Sequence, residues 1–241
     1  MMGIPKSTNG DVFHNWAQLP VSREEFAREL KEEMRRNFRH CEPLPGAERL
    51  LSRFSHAYSS ISSISSSSTS TETKVPIELA LASTTTSETY ELKTSNPATR
   101  HLLSFIPPER RVLGDDPRVG VGRSKPAPDM YLIALESLNA TRSPDVAGEK
   151  PITPEECLVF EDSIIGVEAG RRAGMRVIWV PHPDLATVYR PRGKEVLAGR
   201  TAMIDIGDHW QLGHIDDGWA ESISSLEHFD FEKYDVQVPC S

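Results

Sequence analysis

Cys157-Leu158-Val159-Phe160-Glu161-Asp162-Ser163 is the stretch whose reading decides the fold. A short apolar run ends abruptly in two adjacent carboxylates and a serine, and a helical segment runs from about Ser163 to Ala173. Gly174 stops it, and Met175 to Val180 is again apolar. Strand, helix and strand in this order, with apolar runs too short for buried helices, predict a parallel pair joined by a right-handed crossover.

The same grammar extends upstream. A helix from about Ala127 to Leu138 places Tyr131, Leu132, Leu135 and Leu138 on one side, and Arg111 to Gly114 reads as a short strand ending in Gly-Asp-Asp-Pro. Val75 to Ala82 reads as a buried strand, followed by Ser/Thr residues and a helix beginning near Ser87. Alternating strands and helices imply an α/β domain built on a parallel sheet.

The flanks differ. Ser22 and Glu25 have the spacing of a capping box, and Phe26, Leu30, Met34 and Phe38 recur every four residues on an otherwise charged helix. Pro43-Leu44-Pro45-Gly46 breaks that pattern, and Ala47, Leu50, Leu51 and Phe54 mark a second short helix. Residues 55–73 are serine-rich and too poor in apolar groups to offset their ordering entropy, which predicts a disordered insertion. Residues 181–218, dense in Pro, Gly and Asp, predict an irregular extension with one strand near Ala202 to Ile206. Trp219 to Val236 predicts a short strand and a terminal helix.

Composition narrows the function. With 241 residues the chain suffices for one sizeable domain plus an appendage. A net charge of −8 disfavours a broad phosphate-backbone surface, so nucleic acid is a poor partner. Nothing approaches the roughly 20 apolar residues of a membrane span, and Met-Met-Gly-Ile-Pro-Lys lacks the apolar core of a secretory signal. Cys41, Cys157 and Cys240 are far apart and form no CxxC pair, as expected of incidental thiols in a reducing compartment. A cytoplasmic location is the expectation, and the oligomeric state is not legible.

In an open parallel sheet, ligands bind beyond the carboxyl ends of the strands. Three such ends carry complementary groups. Ser83-Thr84-Thr85 offers hydroxyls and amides at a helix start, suited to a phosphate. Lys125, in Ser124-Lys125-Pro126-Ala127-Pro128-Asp129, offers a point charge on a stiffened loop. Glu161-Asp162 offers hard oxygen ligands for Mg²⁺. Singly these read as a helix cap, a surface lysine and favourable charge at a helix start. Together they are the parts that phosphoryl transfer needs.

Ala80-Leu81-Ala82-Ser83-Thr84, Lys125-Pro126-Ala127-Pro128-Asp129 and Leu158-Val159-Phe160-Glu161-Asp162-Ser163 resemble, in order, the second, third and fourth motifs of the haloacid dehalogenase (HAD) superfamily hydrolases. The likeness is greatest to the pseudouridine-5′-phosphatase-like and sugar- or glycerol-phosphate phosphatases with a helical cap, and it omits the serine run and the stretch around Asp184 to Gly218. It implies a Rossmann-like core over residues 46–241 and a partial α-helical cap over residues 1–45. It further implies a Mg²⁺-dependent phosphatase acting on a small phosphorylated metabolite through an aspartyl-phosphate. Ser83, Thr84 and Lys125 would hold the phosphoryl group, Lys125 being catalytic, and Asp162 with Glu161 would hold the metal. The family's Asp-x-Asp, on the central first strand, has no counterpart here: Asp115-Asp116, Asp205, Asp208 and Asp230 all lie in the wrong context. The expectation is therefore an N-terminally truncated chain, inactive as it stands, whose sheet lacks its central strand. A phosphomutase or dehalogenase of the same superfamily, and a non-catalytic phosphometabolite-binding protein, remain as alternatives.

Overall fold

The computed structural model describes residues 13–64, 70–140, 142 and 150–237. Helices α1 (Arg23–Asn37) and α2 (Ala47–Phe54) lead into an antiparallel ribbon of β1 (Tyr58–Ile64) and β2 (Ser70–Pro76). Then follow β3 (Leu81–Ala82), α3 (Ser87–Lys93), α4 (Pro97–Leu103), β4 (Arg111–Val112) and α5 (Asp129–Asn139). The last third contains β5 (Leu158–Glu161), α6 (Ile164–Arg172), β6 (Arg176–Trp179), α7 (Pro183–Tyr189), α8 (Gly193–Leu197) and β7 (Ala220–Ser222).

The strands of the α/β core are parallel, as the sequence predicts, but they form two separate sheets. β3 pairs with β4, and β5, β6 and β7 pair in that order. Among the described residues one edge of β3 and one edge of β5 carry no partner strand. Apolar packing nonetheless joins the halves, because Ala82 of β3 packs on the cluster that holds Val159, Val167, Val177 and Trp179. A second cluster sets Leu50 and Phe54 of α2 against Ile178, Val180 and Phe229.

The crossover helix α6 is the best anchored element. Ser163 caps it by accepting from the Gly166 N–H at 3.1 Å, and every one of its residues is buried. Its charged groups must then be paired to be tolerated. Arg172 bonds Glu168 at 2.8 Å and donates to the Gly207 and Asp208 carbonyls at 2.8 and 3.1 Å, while Arg171 pairs with Asp217. Residues 181–218 are thus the cover over the outer face of α6. They are also more regular than expected, containing α7 and α8, and no strand forms near Ala202 to Ile206. Pro183 at the first turn of α7 and the His182 ring accepting from Asp184 N–H are the local reasons for the first of these helices.

Other expectations need correction. The serine run, expected to be disordered, contributes β1 and part of β2, with Tyr58 opposite Pro76 and Ile64 opposite Ser70; residues 65–69 lie outside the described residues. The long strand expected over Val75 to Ala82 is divided: Val75 and Pro76 close the ribbon, and only Leu81–Ala82 joins the core. Of the expected C-terminal strand and helix, β7 forms, but the described residues after it hold a 3₁₀ turn at Leu226–His228 and turns over residues 231–235, with no α-helix. The charged helix α1 forms with the Ser22 cap, its side chain accepting from Glu25 N–H at 3.1 Å, and buries none of its residues.

Candidate active site

The three strand ends singled out in the sequence meet at Lys125. This lysine is only 5% exposed, and its ammonium group lies between the two sheets at their carboxyl ends. It donates to the Ala82 carbonyl at the tip of β3 at 2.9 Å and to the Tyr131 hydroxyl at 3.0 Å, and it pairs with Glu161 at the tip of β5. An ammonium group has three protons to donate, so all three have partners. The Lys125-Pro126 peptide bond is cis.

Glu161 is the hub of this cluster. One carboxylate oxygen takes Lys125 and the Tyr131 hydroxyl; the other accepts from the Ser163 hydroxyl at 3.0 Å and the Ser163 N–H at 3.3 Å. Burial alone would raise its carboxyl, but Lys125 foremost, with Tyr131 and Ser163, outweighs that and holds it below the ordinary carboxylate value. Tyr131 moves the other way: burial, then the Glu161 charge, pushes its phenol well above its ordinary value, so it stays protonated as a donor. Gly166 makes the seat possible, since a Cβ there would overlap the Glu161 carboxylate.

Asp162 is different. It is exposed, and its backbone carbonyl accepts from the Trp179 indole N–H at 3.2 Å. Desolvation by the surrounding groups, then the neighbouring Glu161 charge, holds its carboxyl above the ordinary value, while Lys125 and Lys93 pull it down. Lys93, at the end of α3, donates to the Thr85 hydroxyl at 3.3 Å and adds a second positive charge that the sequence reading did not single out. Ser83 and Thr84 are half-buried at the end of β3, with the Ser83 hydroxyl accepting from Thr85 N–H at 3.2 Å.

The fit to a divalent cation is incomplete. Mg²⁺ asks for near-octahedral oxygen ligation, whereas both Glu161 oxygens are occupied and the Asp162 carboxylate, bonded to its own backbone N–H, is the other acid at this strand tip. Among the described residues no three His, Cys, Asp or Glu side chains converge on a common point. The aspartates weighed in the sequence have partners elsewhere: Asp115 accepts from Ser87 at 2.9 Å, Asp116 binds Arg118, Asp205 faces His209 and Asp230 caps the turn at Glu232. Tyr131 was legible only as an apolar contact of its helix, because spacing does not reveal where a phenol hydroxyl ends.

The sequence pattern of the haloacid dehalogenase-like hydrolases matches residues 105–174, which hold Lys125, Tyr131, Glu161 and Asp162. An uncharacterized protein of Schizosaccharomyces pombe is 30% identical over 97% of this chain and 77% of its own length. A probable pseudouridine-5′-phosphatase of Drosophila melanogaster is 35% identical over 75% of this chain, which spans 64% of that relative. The crystal structure of a haloacid dehalogenase-like protein of unknown function from Agrobacterium tumefaciens superposes with a TM-score of 0.53 at 18% identity, covering 93% of this chain and 75% of that one. No helix among the described residues is long and apolar enough to cross a membrane.

Proposed function

Because the chain belongs to the haloacid dehalogenase-like hydrolases, we propose that it carries the phosphate-binding part of a phosphatase site for small phosphomonoesters. The observation that carries this reading is Lys125, a buried cation held at the junction of the β3 and β5 tips. A cation fixed there can bind a phosphoryl oxygen and stabilise charge that develops on it. The half-buried Ser83 and Thr84 follow directly on Ala82, whose carbonyl Lys125 binds, and Lys93 strengthens the positive field. The relative named for pseudouridine-5′-phosphate hydrolysis makes a nucleoside or sugar phosphate the first substrate class to try.

In this reading Glu161 orients Lys125 instead of serving as a metal ligand, and Asp162 is the carboxylate left to meet a cation. Asp162 alone does not build a Mg²⁺ site, so no step is assigned to the metal. The attacking aspartate would stand on a strand lying between the unpartnered edges of β3 and β5, with its carboxylate facing Lys125. A second reading, a phosphometabolite-binding protein without turnover, is favoured by the one fact that no described aspartate occupies that position.

Calorimetric titration of the chain with inorganic phosphate, beside phosphate-release assays on sugar, nucleoside and glycerol phosphates, tests both. The proposal expects binding that Lys125→Ala abolishes. In any form of the protein that turns over, Lys125→Ala or Asp162→Ala removes most phosphate release; rates unchanged in both variants would refute these roles. Binding through Lys125 with no release from any ester selects the second reading.

A further inference from the structure

We infer that Tyr131 is a positioning residue that holds the third proton of Lys125 in reserve and surrenders it to an incoming phosphoryl oxygen. The inference rests on the phosphate-site reading of Lys125 and goes beyond it. Every N–H of Lys125 is engaged by the protein itself, so an anion can be bound directly only if one of the three acceptors gives way. The acceptors are not equivalent. Glu161 is a buried charge whose loss as a partner would leave an unpaired ion in a low dielectric, the costliest choice. The Ala82 carbonyl belongs to the parallel pair with β4 and cannot withdraw without moving the strand. The Tyr131 hydroxyl is neutral and keeps its own donor bond to Glu161 when the lysine turns away.

The phenol thus has two tasks. It accepts from Lys125 at 3.0 Å while donating to Glu161, which keeps the buried ammonium satisfied before substrate arrives. It also competes with the anion for the same proton. The ring contributes independently, since the ammonium lies 4.5 Å from its centroid. Tyr131→Phe keeps that ring contact and the packed volume on α5, and removes the hydroxyl alone.

Removing a competing acceptor strengthens ground-state anion binding. The expected gain in inorganic phosphate affinity for Tyr131→Phe is roughly three- to tenfold, the worth of one hydrogen bond to a charged donor offset by a weakened Glu161. A purely structural role for the phenol would leave affinity unchanged or lower it. Calorimetric titration of wild type, Lys125→Ala and Tyr131→Phe with inorganic phosphate separates the possibilities. Loss of binding in Lys125→Ala with tighter binding in Tyr131→Phe supports the inference. Loss in Lys125→Ala with equal or weaker binding in Tyr131→Phe overturns it and spares the phosphate-site reading. Binding that is absent from the wild type, or unaffected by Lys125→Ala, overturns both. Should Tyr131→Phe fail to fold, the wild type labelled at tyrosine Cζ carries the test. Phosphate then shifts the Tyr131 resonance as its lysine partner leaves, and a static resonance at phosphate saturation overturns the inference.

Discussion

Replacing Gly166 with alanine should reverse the sign normally seen for a helical glycine. In an ordinary helix interior the substitution gains about 1 kcal/mol from propensity and reduced chain entropy. Here the added methyl would overlap the carboxylate of Glu161. That carboxylate is the flexible end of a side chain, but it is tethered by Lys125, Tyr131 and both polar groups of Ser163. To clear the methyl it must release partners, and disrupting a buried ion pair costs on the order of 3–5 kcal/mol. The net expectation is a loss of about 2–4 kcal/mol, which lowers Tm by roughly 4–16 °C for a chain of this size. Calorimetric melting of Gly166→Ala, with Gly193→Ala as control because no atom lies within 4 Å of a Cβ there, makes the comparison. The double variant Glu161→Ala/Gly166→Ala should erase the penalty of the alanine, since the two residues interact directly. A Tm for Gly166→Ala equal to or above wild type would show that Glu161 is not held as described.

Three further expectations concern titration. The Glu161 carboxyl is depressed, so its stabilising contribution is fully present above the ordinary value of 4.5 and is lost as pH falls through its lower folded value. The stability difference between wild type and Glu161→Gln should accordingly be flat near neutrality and shrink only below that value, as urea titrations at stepped pH would show. Asp162, being raised, carries the opposite sign: Asp162→Asn should melt higher at neutral pH, and a lower Tm would contradict its assigned surroundings. Cys157, pushed up to about 11 by burial first and then by Glu156 and Glu155, should be alkylated at pH 8 roughly 100-fold more slowly than a peptide thiol. Mass-resolved iodoacetamide labelling at a comparable rate would contradict that.

The parallel core was legible because its information is local. Leu158 to Glu161 and Arg176 to Trp179 are short apolar runs bounded by polar or glycine stops, and they pair in register along their length. The site residues could be found as strand-end groups for the same reason. The orientation of Glu161 could not, because whether a carboxylate meets a cation or a metal depends on a lysine 36 positions away. Residues 55–73 misled since the serines of the first strand carry no pattern of their own, whereas the second strand alternates Thr71, Thr73 and Val75, β-branched residues that favour a strand. The cover formed by residues 181–218 was hidden by its Pro and Gly content; its purpose is set by Arg171 and Arg172 on α6, which need oxygen partners from it.

The split sheet gives the two halves of the core different routes to hydrogen exchange. Around α6 the amides of β5 and β6 belong to a three-strand ladder beneath a wholly buried helix, so their protection reports global unfolding. β3 and β4 share only two register pairs, and they are tied to the rest by the Lys125 ammonium, by Ala82 and by α5, whose Met130 and Ala134 pack on Val112 while Tyr131 and Leu135 enter the larger cluster. Opening that half therefore breaks the Lys125 bond to Ala82 and the α5 packing together, and its short ladder should exchange ahead of the one beneath α6.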